Sequence, residues 1–309
     1  MSPWVVLFHY GAYQPLWQQP GLLQCGPRLE PGPHALPVAA PTVEAIHAAL
    51  RSRGLWSSSG VLIQYTDPFL IRAAALRGLK RWRGPRLLVC GDLHHGPAPV
   101  DTLVAYQEQE PHHAVALAFN PMLLPEVQRR LRVPVHCHPP GFFRYPRCPR
   151  HQAPARRLVH VGSLGAHHPQ RRALVEALLQ RGRIPFEHIT TSSAQQAATV
   201  YAANALVLNV PLNNDFNHRF FEAAAAGAPQ VVFASPALLG PLLPWAQGRP
   251  DWFWTEHLED LEGLVLRLLE DPALEQLPVP PPPQPKLLDW LKCCLAPLPS
   301  HRLAVRGVN

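Results

Sequence analysis

Between residues 206 and 233 the chain reads Leu-Val-Leu-Asn-Val-Pro-Leu-Asn-Asn-Asp-Phe-Asn-His-Arg-Phe-Phe-Glu-Ala-Ala-Ala-Ala-Gly-Ala-Pro-Gln-Val-Val-Phe. The pattern is an apolar strand, a loop of amides and charges, a short helix over Phe216 to Ala226 stopped by Gly-Ala-Pro, and a second apolar strand. In such an arrangement the loop lies beyond the carboxyl end of a parallel strand, where open α/β sheets bind ligands. The Asn-Asn-Asp-Phe-Asn-His-Arg cluster is polar at that spot, and the helix after it offers unpaired N–H groups and the positive end of a dipole to a diphosphate. Glu222, one turn further, can accept hydrogen bonds from both hydroxyls of a ribose. The spacing alone fits a plainer account equally well, with Asn213, Asn214 and Asp215 as turn formers and caps and Glu222 on a solvated face.

A second cluster, Cys90-Gly-Asp-Leu-His-His-Gly-Pro97, follows an apolar run and precedes a helical pattern. Asp92 there is a candidate general base, and His94 and His95 candidates to orient a sugar or an acceptor hydroxyl. The plainer account is a tight turn in which Gly91 and Gly96 permit the backbone path and Asp92 caps the next helix. Gly-Asp-x-His is also a fragment of metallophosphoesterase sites, but no Gly-Asn-His-Asp or Gly-Asp-x-x-Asp follows to complete a dinuclear ligand set. A third turn, Val159-His-Val-Gly-Ser-Leu-Gly165, places Gly162 and Ser163 where backbone can approach a phosphate, with Arg171 and Arg172 just beyond. The 17 histidines include no pair at the i, i+4 spacing of a helical zinc motif, so no metal site is expected.

These turns need a scaffold, and the surrounding patterns supply one. Apolar runs at Trp4 to His9, Gly60 to Tyr65, Arg86 to Cys90, Ala114 to Phe119 and Val133 to His136 alternate with helical patterns from Thr42, Pro68, Pro99 and Pro121. A second series alternates strands at 158–161, 186–189, 206–210, 230–233 and 252–254 with helices at 168–181, 194–202, 216–226, 236–245 and 256–270. Two such series imply two doubly wound, Rossmann-like α/β domains with parallel sheets, facing each other across a cleft. The expected division is an N-terminal domain over 1–140, a linker dense in proline and arginine over 141–157, a C-terminal domain over 158–275, and a proline-rich segment with a last helix over 276–309. That helix, Pro285 to Leu295, is expected to pack back on the first domain.

Composition narrows the class. At 309 residues with 47% apolar and 16% charged residues, the chain can bury a core in each of two domains. Its formal charge of +7 suits a polyanion or a nucleotide diphosphate, but no basic run reaches the length of a nucleic-acid arm, so no nucleic-acid partner is expected. Six cysteines without a CxxC spacing fit a reduced, cytoplasmic setting, and no stretch approaches the 18 apolar residues of a membrane span.

The Asn217-x-Arg219-x-x-Glu222 pattern, followed by small residues ending in Gly227, resembles the donor-site helix of GT-B glycosyltransferases and is most similar to the spore-maturation CgeB-like branch. That branch has a Gly-Asp-x-His-His-Gly turn as well, matched here by Gly91, Asp92, His94, His95 and Gly96. The resemblance spans roughly residues 60–269. It implies a nucleotide-diphosphate sugar as donor, transferred to an unknown glycan, protein or small-molecule acceptor, without cofactor or metal. It assigns ribose binding to Glu222, phosphate or sugar contacts to Asn217 and Arg219, close helix packing to Gly227, and the donor diphosphate to the Gly162-Ser163 turn. Many retaining GT-B enzymes carry a second glutamate eight residues before the ribose-binding one, and that position here is Asn214. A catalytically degenerate binding or regulatory protein on the same fold is therefore the alternative reading.

Overall fold

The structure, a computed structural model, describes residues 5–10, 21–55, 60–93, 95–137, 143–165, 168–213, 215–243, 248–281 and 286–296. His94 and Asn214 lie outside them. The chain divides into two compact units, residues 1–143 with 284–309 and residues 144–283.

The first unit opens with β1 (Val5–Phe8), β2 (Leu22–Gly26), β3 (Ala35–Pro37), α1 (Val43–Ser52), β4 (Val61–Thr66) and α2 (Pro68–Ala74). It continues with β5 (Arg86–Cys90), α3 (Pro99–Gln109), β6 (Ala114–Leu117), α4 (Leu124–Arg130) and β7 (Val135–Cys137). Among the described residues these strands form one sheet, ordered β3-β2-β1-β4-β5-β6-β7, in which every pairing is parallel. The central strands β1, β4, β5 and β6 are buried on both faces, which is why they read as largely apolar runs. Helix α1 starts where the Thr42 hydroxyl accepts from the Ala45 amide at 3.1 Å. It lays Val43, Ile46 and Leu50 against Val6, Phe8, Leu23 and Leu62 of the sheet.

Strands β2 and β3 were not anticipated. They lie in a stretch rich in glycine and proline, and their only polar side chain facing inward, Gln24, hides the strand pattern because its partner is remote: its Oε1 bonds the His9 ring at 3.1 Å. Burial holds His9 down to a pKa of about 4, so the ring is neutral there.

The second unit holds β8 (Ala155–Val161), α5 (Pro169–Arg181), β9 (Phe186–Ile189), α6 (Ala194–Ala203), β10 (Asn204–Asn209), α7 (Arg219–Ala225), β11 (Gln230–Phe233), β12 (Trp252–Thr255) and α8 (Leu258–Glu270). Their sheet is ordered β12-β11-β10-β8-β9 and is also parallel throughout. The pleat sorts its two faces. Leu158, Leu206 and Leu208 pack with Leu174 and Leu178 of α5 and Leu261 and Val265 of α8. Val159, Val161 and Val207, one residue out of phase, pack with Tyr201 of α6 and Ala223 of α7.

Two local expectations change, and the expected packing of the last helix on the first domain is observed. The segment expected to link the domains to residue 157 is already strand from Ala155, and Arg150 within it donates to the carbonyls of Tyr201 and Ala205 at 3.0 and 2.9 Å. The helix expected over 236–245 is a 3₁₀ segment, Pro236–Leu242, broken at Gly240, where φ is 47° just before Pro241. The last helix, α9 (Leu287–Leu295), belongs to the first unit, where it packs on β6 and buries Trp290 and Leu291.

Candidate functional site

In the second sheet the chain runs outward from β8 to β9, then returns to place β10 on the other side of β8. Connections leaving β8 and β10 therefore diverge, and their carboxyl ends open a crevice at the point where strand order reverses. Gly162 follows β8 directly, with φ at 139°, a conformation that L side chains rarely adopt. The space a side chain would need is taken: a Cβ on Gly162 would lie 2.7 Å from Nη2 of Arg219. That nitrogen donates to the Val161 carbonyl. Arg171, near the start of α5, reaches the same crevice from the other side and donates Nη2 to the carbonyl of Val210 at 3.1 Å, just past β10.

Both guanidiniums are buried, each 8% exposed. Neither makes a carboxylate ion pair within the described residues, although Asp215 attracts Arg171 from nearby. Burial, and then the charge of Arg219, pull the Arg171 pKa down to about 10. His160 on β8 sits beneath them, its Nδ1 3.1 Å from Nδ1 of His188. Burial first, and then Arg219 and Arg171, hold His160 far below its ordinary range and therefore neutral.

Asn217 organises the entrance to α7. Its Oδ1 accepts from the Arg219 amide at 3.0 Å, while Nδ2 donates to Asn209 Oδ1 at 3.0 Å. Asn209 in turn donates to Gln230, whose amide donates to the Phe220 carbonyl, so the helix start is tied to two strands. Asp215 accepts from the Leu212 amide at 2.7 Å. This pairing corrects the expectation of free N–H groups at the helix start. The Arg219 amide is taken by Asn217 Oδ1, that of Phe220 by the Asn217 carbonyl, and those of Phe221 and Glu222 by His218. An anion in this crevice therefore cannot be held by these α7 amides, and the buried arginine side chains are the groups placed to hold it.

Glu222 is half-buried on α7 and accepts from the Tyr201 hydroxyl at 3.2 Å. Ser163 is exposed, its Oγ accepting from the Gly165 amide at 3.1 Å. Gly162, Asn217, Arg219 and Glu222 thus gather at one place, and Ser163 lies beside them. Gly227 does not. It is the left-handed stop after α7, at φ 66°, about 12 Å along the helix from Arg219. Its neighbour is Arg150, so its role is to end the helix beside that side chain rather than to let helices pack closely.

In the first unit the turn after β5 is held by the ends of its neighbours. Gly91 donates to the Thr66 carbonyl at 2.9 Å, Asp92 donates its amide to Asp67 Oδ1 at 2.8 Å, and Leu93 to Asn120 Oδ1 at 2.7 Å. A side chain at Gly91 would collide with the Asp67 carboxylate. So fixed, Asp92 meets His95, with Oδ2 and Nε2 3.4 Å apart and both side chains 34% exposed. The His95 ring stands edge-on to Phe69 at 6.0 Å.

Asp67 and Asn120 were overlooked as parts of this turn, as was Tyr201 in the second unit, whereas Asp215 takes the turn-forming role expected of it. Asp67-Pro68 and Asn120-Pro121 carried a readable signal: each is a polar residue between a strand and a proline-led helical turn, at the same edge of the sheet. Among the described residues, no group of three or more His, Cys, Asp or Glu is arranged to hold a metal ion. None of the described helices is long and apolar enough to cross a membrane.

A strand-turn site with buried arginines, on a sheet of this order, can be compared with known proteins. Residues 147–276 match the family model described as glycosyl transferase-like. The match takes in the whole crevice, from β8 through α8. Among solved structures, sucrose-phosphate synthase from Thermosynechococcus elongatus aligns with 89% of this chain and 92% of its own, at 12% identity and a TM-score of 0.52. A GtfA/B complex aligns with 75% of this chain at 11% identity and a TM-score of 0.39. The Gap123 glycosylation-associated complex from Streptococcus agalactiae aligns with 75% at 11% identity and a TM-score of 0.48. The chain spans about half the length of the last two, 55% and 53%. No curated protein matches it. The two parallel sheets with alternating helices and the likeness to the synthase give the fold as GT-B. The glycosyl transferase-like match supports glycosyl transfer in general.

Proposed function

We propose that the protein is a glycosyltransferase of the CgeB-like branch, which takes a sugar from a nucleotide-diphosphate donor bound at the β8/β10 crevice and needs no metal to hold it. The observation that carries this reading is the pair of buried guanidiniums, Arg171 and Arg219, beneath a glycine turn and without a carboxylate ion pair among the described residues. Two buried like charges are costly unless an anion completes them, and a diphosphate does so with charge-assisted hydrogen bonds. Glu222, steadied by Tyr201, lies one turn along α7, where it can accept from ribose hydroxyls. As the leaving diphosphate gains charge, the arginines stabilise it in a site already arranged for that charge.

In the first unit, His95 takes the proton of an acceptor hydroxyl and Asp92 stabilises the resulting imidazolium. The geometry favours this division of labour over Asp92 as the base, because the Asp92 carboxylate faces the imidazole. The degenerate reading retains one specific support, Asn214 in the position of the second glutamate.

The test is a thermal-shift screen of the purified protein with UDP, GDP, ADP, CMP and their sugar conjugates, with and without EDTA. Stabilisation of about 3 kcal/mol at a hundredfold excess over Kd, surviving EDTA and lost in Glu222→Ala, is the expected result. Binding that vanishes with EDTA overturns metal independence. Binding without turnover of any conjugate in the presence of candidate acceptors favours the degenerate reading.

A further inference from the structure

Beyond the carboxyl ends of β10, β11 and β12 lies an open pocket of about 370 Å³, lined among others by Gln170, Pro211, Asn213, Phe233, Ser235 and Glu256. Its size is at the lower end of the range for small-molecule sites, roughly 300–1,000 Å³, which suits a single ring better than a whole nucleotide. Its chemistry is equally selective. Among the described residues the lining offers two side-chain amides, a hydroxyl, a carboxylate and one aromatic ring, and contains no lysine or arginine. A phosphate finds no cation there and meets the Glu256 carboxylate. A polyhydroxylated ring has acceptors for its hydroxyls in Glu256, Asn213 and Gln170 and an apolar surface in Phe233.

Position ties this pocket to the arginine crevice. Gln170 immediately precedes Arg171, and Pro211 immediately follows Val210, whose carbonyl Arg171 holds. Glu222 lies on the α6 and α7 face of the sheet, whereas Gln170 and Glu256 lie at the starts of α5 and α8 on the opposite face. A nucleoside diphosphate sugar with its ribose at Glu222 and its phosphates over Arg171 and Arg219 therefore runs across the sheet edge toward the pocket, sugar end first.

Building on the donor reading, we propose that this pocket receives the transferred sugar and that Glu256 selects an uncharged hexose over a uronic acid. A carboxylate on the sugar would meet the Glu256 carboxylate in an open pocket with no cation in its lining, whereas neutral hydroxyls gain an acceptor. Because Glu256 is exposed, solvent screens this discrimination to a modest factor.

The experiment is calorimetric titration of the full chain and of Glu256→Gln with three ligands sharing one base: UDP, UDP-glucose and UDP-glucuronate, or GDP, GDP-mannose and GDP-mannuronate. The expected order in the wild type is neutral conjugate tightest, by at least about threefold over the bare diphosphate, and uronate conjugate weakest. Glu256→Gln is expected to strengthen uronate binding by about threefold or more and to leave the bare diphosphate unchanged. Conjugates that bind no more tightly than the bare diphosphate, or a preference against uronate that persists in Glu256→Gln, overturn the sugar pocket and leave the donor reading standing. Failure of every nucleoside diphosphate to bind overturns both.

Discussion

At the carboxyl edge of the second sheet, Arg171 and Arg219 are 8% exposed and form no carboxylate ion pair among the described residues, whereas at the same edge of the first sheet Asp92 and His95 face each other and keep a third of their surface in solvent. The two edges share a construction, a glycine turn after a parallel strand, but treat charge differently. Charge removed from water must be completed by something, and where no side chain completes it the site is prepared for a ligand of opposite sign. Charge left at the surface beside its own counter-charge is already satisfied, and it exchanges protons with water readily. The first arrangement suits holding a diphosphate, the second moving a proton.

The sharpest way to break this comparison is Arg219→Met. If the guanidinium is poised for an anion, its loss weakens nucleoside-diphosphate binding by about 30- to 100-fold, the worth of a charge-assisted contact of about 2–3 kcal/mol. Stability should change far less. The lost bond to the Val161 carbonyl is offset by relief of repulsion with Arg171, so Tm should move by only a few degrees. A fall in Tm of more than about 10 °C with binding intact would make Arg219 a structural residue and remove the contrast between the edges.

Asp67→Ala probes the other edge. Asp67 is buried, and its carboxylate accepts the Asp92 amide, so the substitution leaves that N–H unpaired and opens space beside Gly91. A cost of about 1–3 kcal/mol is expected, read by calorimetric unfolding, together with faster amide exchange at residues 91–93. Nucleoside-diphosphate affinity should not move, because every group assigned to it lies in the second unit. A parallel loss of affinity would mean that the two edges do not act separately.

How much of this was legible before any coordinates follows from where the partners lie in the chain. Strands such as Arg86–Cys90 and Gln230–Phe233 were readable to the residue because burial on both faces leaves a nearly uninterrupted apolar run. Leu22–Gly26 was not, since Gln24 is satisfied by His9, fifteen residues earlier in the chain. Within the site, Asn217, Arg219 and Glu222 were legible as a local pattern. That Asn217 occupies the helix amides, and that Arg219 fills the space below Gly162, fifty-seven residues earlier, depends on the strand order β10-β8, which local spacing does not encode. Asp67 and Asn120 were hidden for the same reason: each serves a turn on a neighbouring strand.

The smallest expected effect is also the most specific. Tyr201 is buried, and its hydroxyl donates to Glu222 Oε2 at 3.2 Å, so Tyr201→Phe keeps the ring packing and removes that hydrogen bond. At about 0.5–1.5 kcal/mol, the loss should weaken nucleoside-diphosphate binding by roughly threefold to tenfold. The role of Glu222 can be isolated by repeating the titration with the 2′,3′-dideoxy nucleotide. If Tyr201 acts by aiming Glu222 at the ribose, the dideoxy ligand binds the wild type and Tyr201→Phe with equal affinity, because the group being aimed at is gone. An unchanged difference between the two proteins would place the effect of Tyr201 on Arg219, with which its hydroxyl also interacts, and would move the second unit's contribution from reading a ribose to holding charge alone.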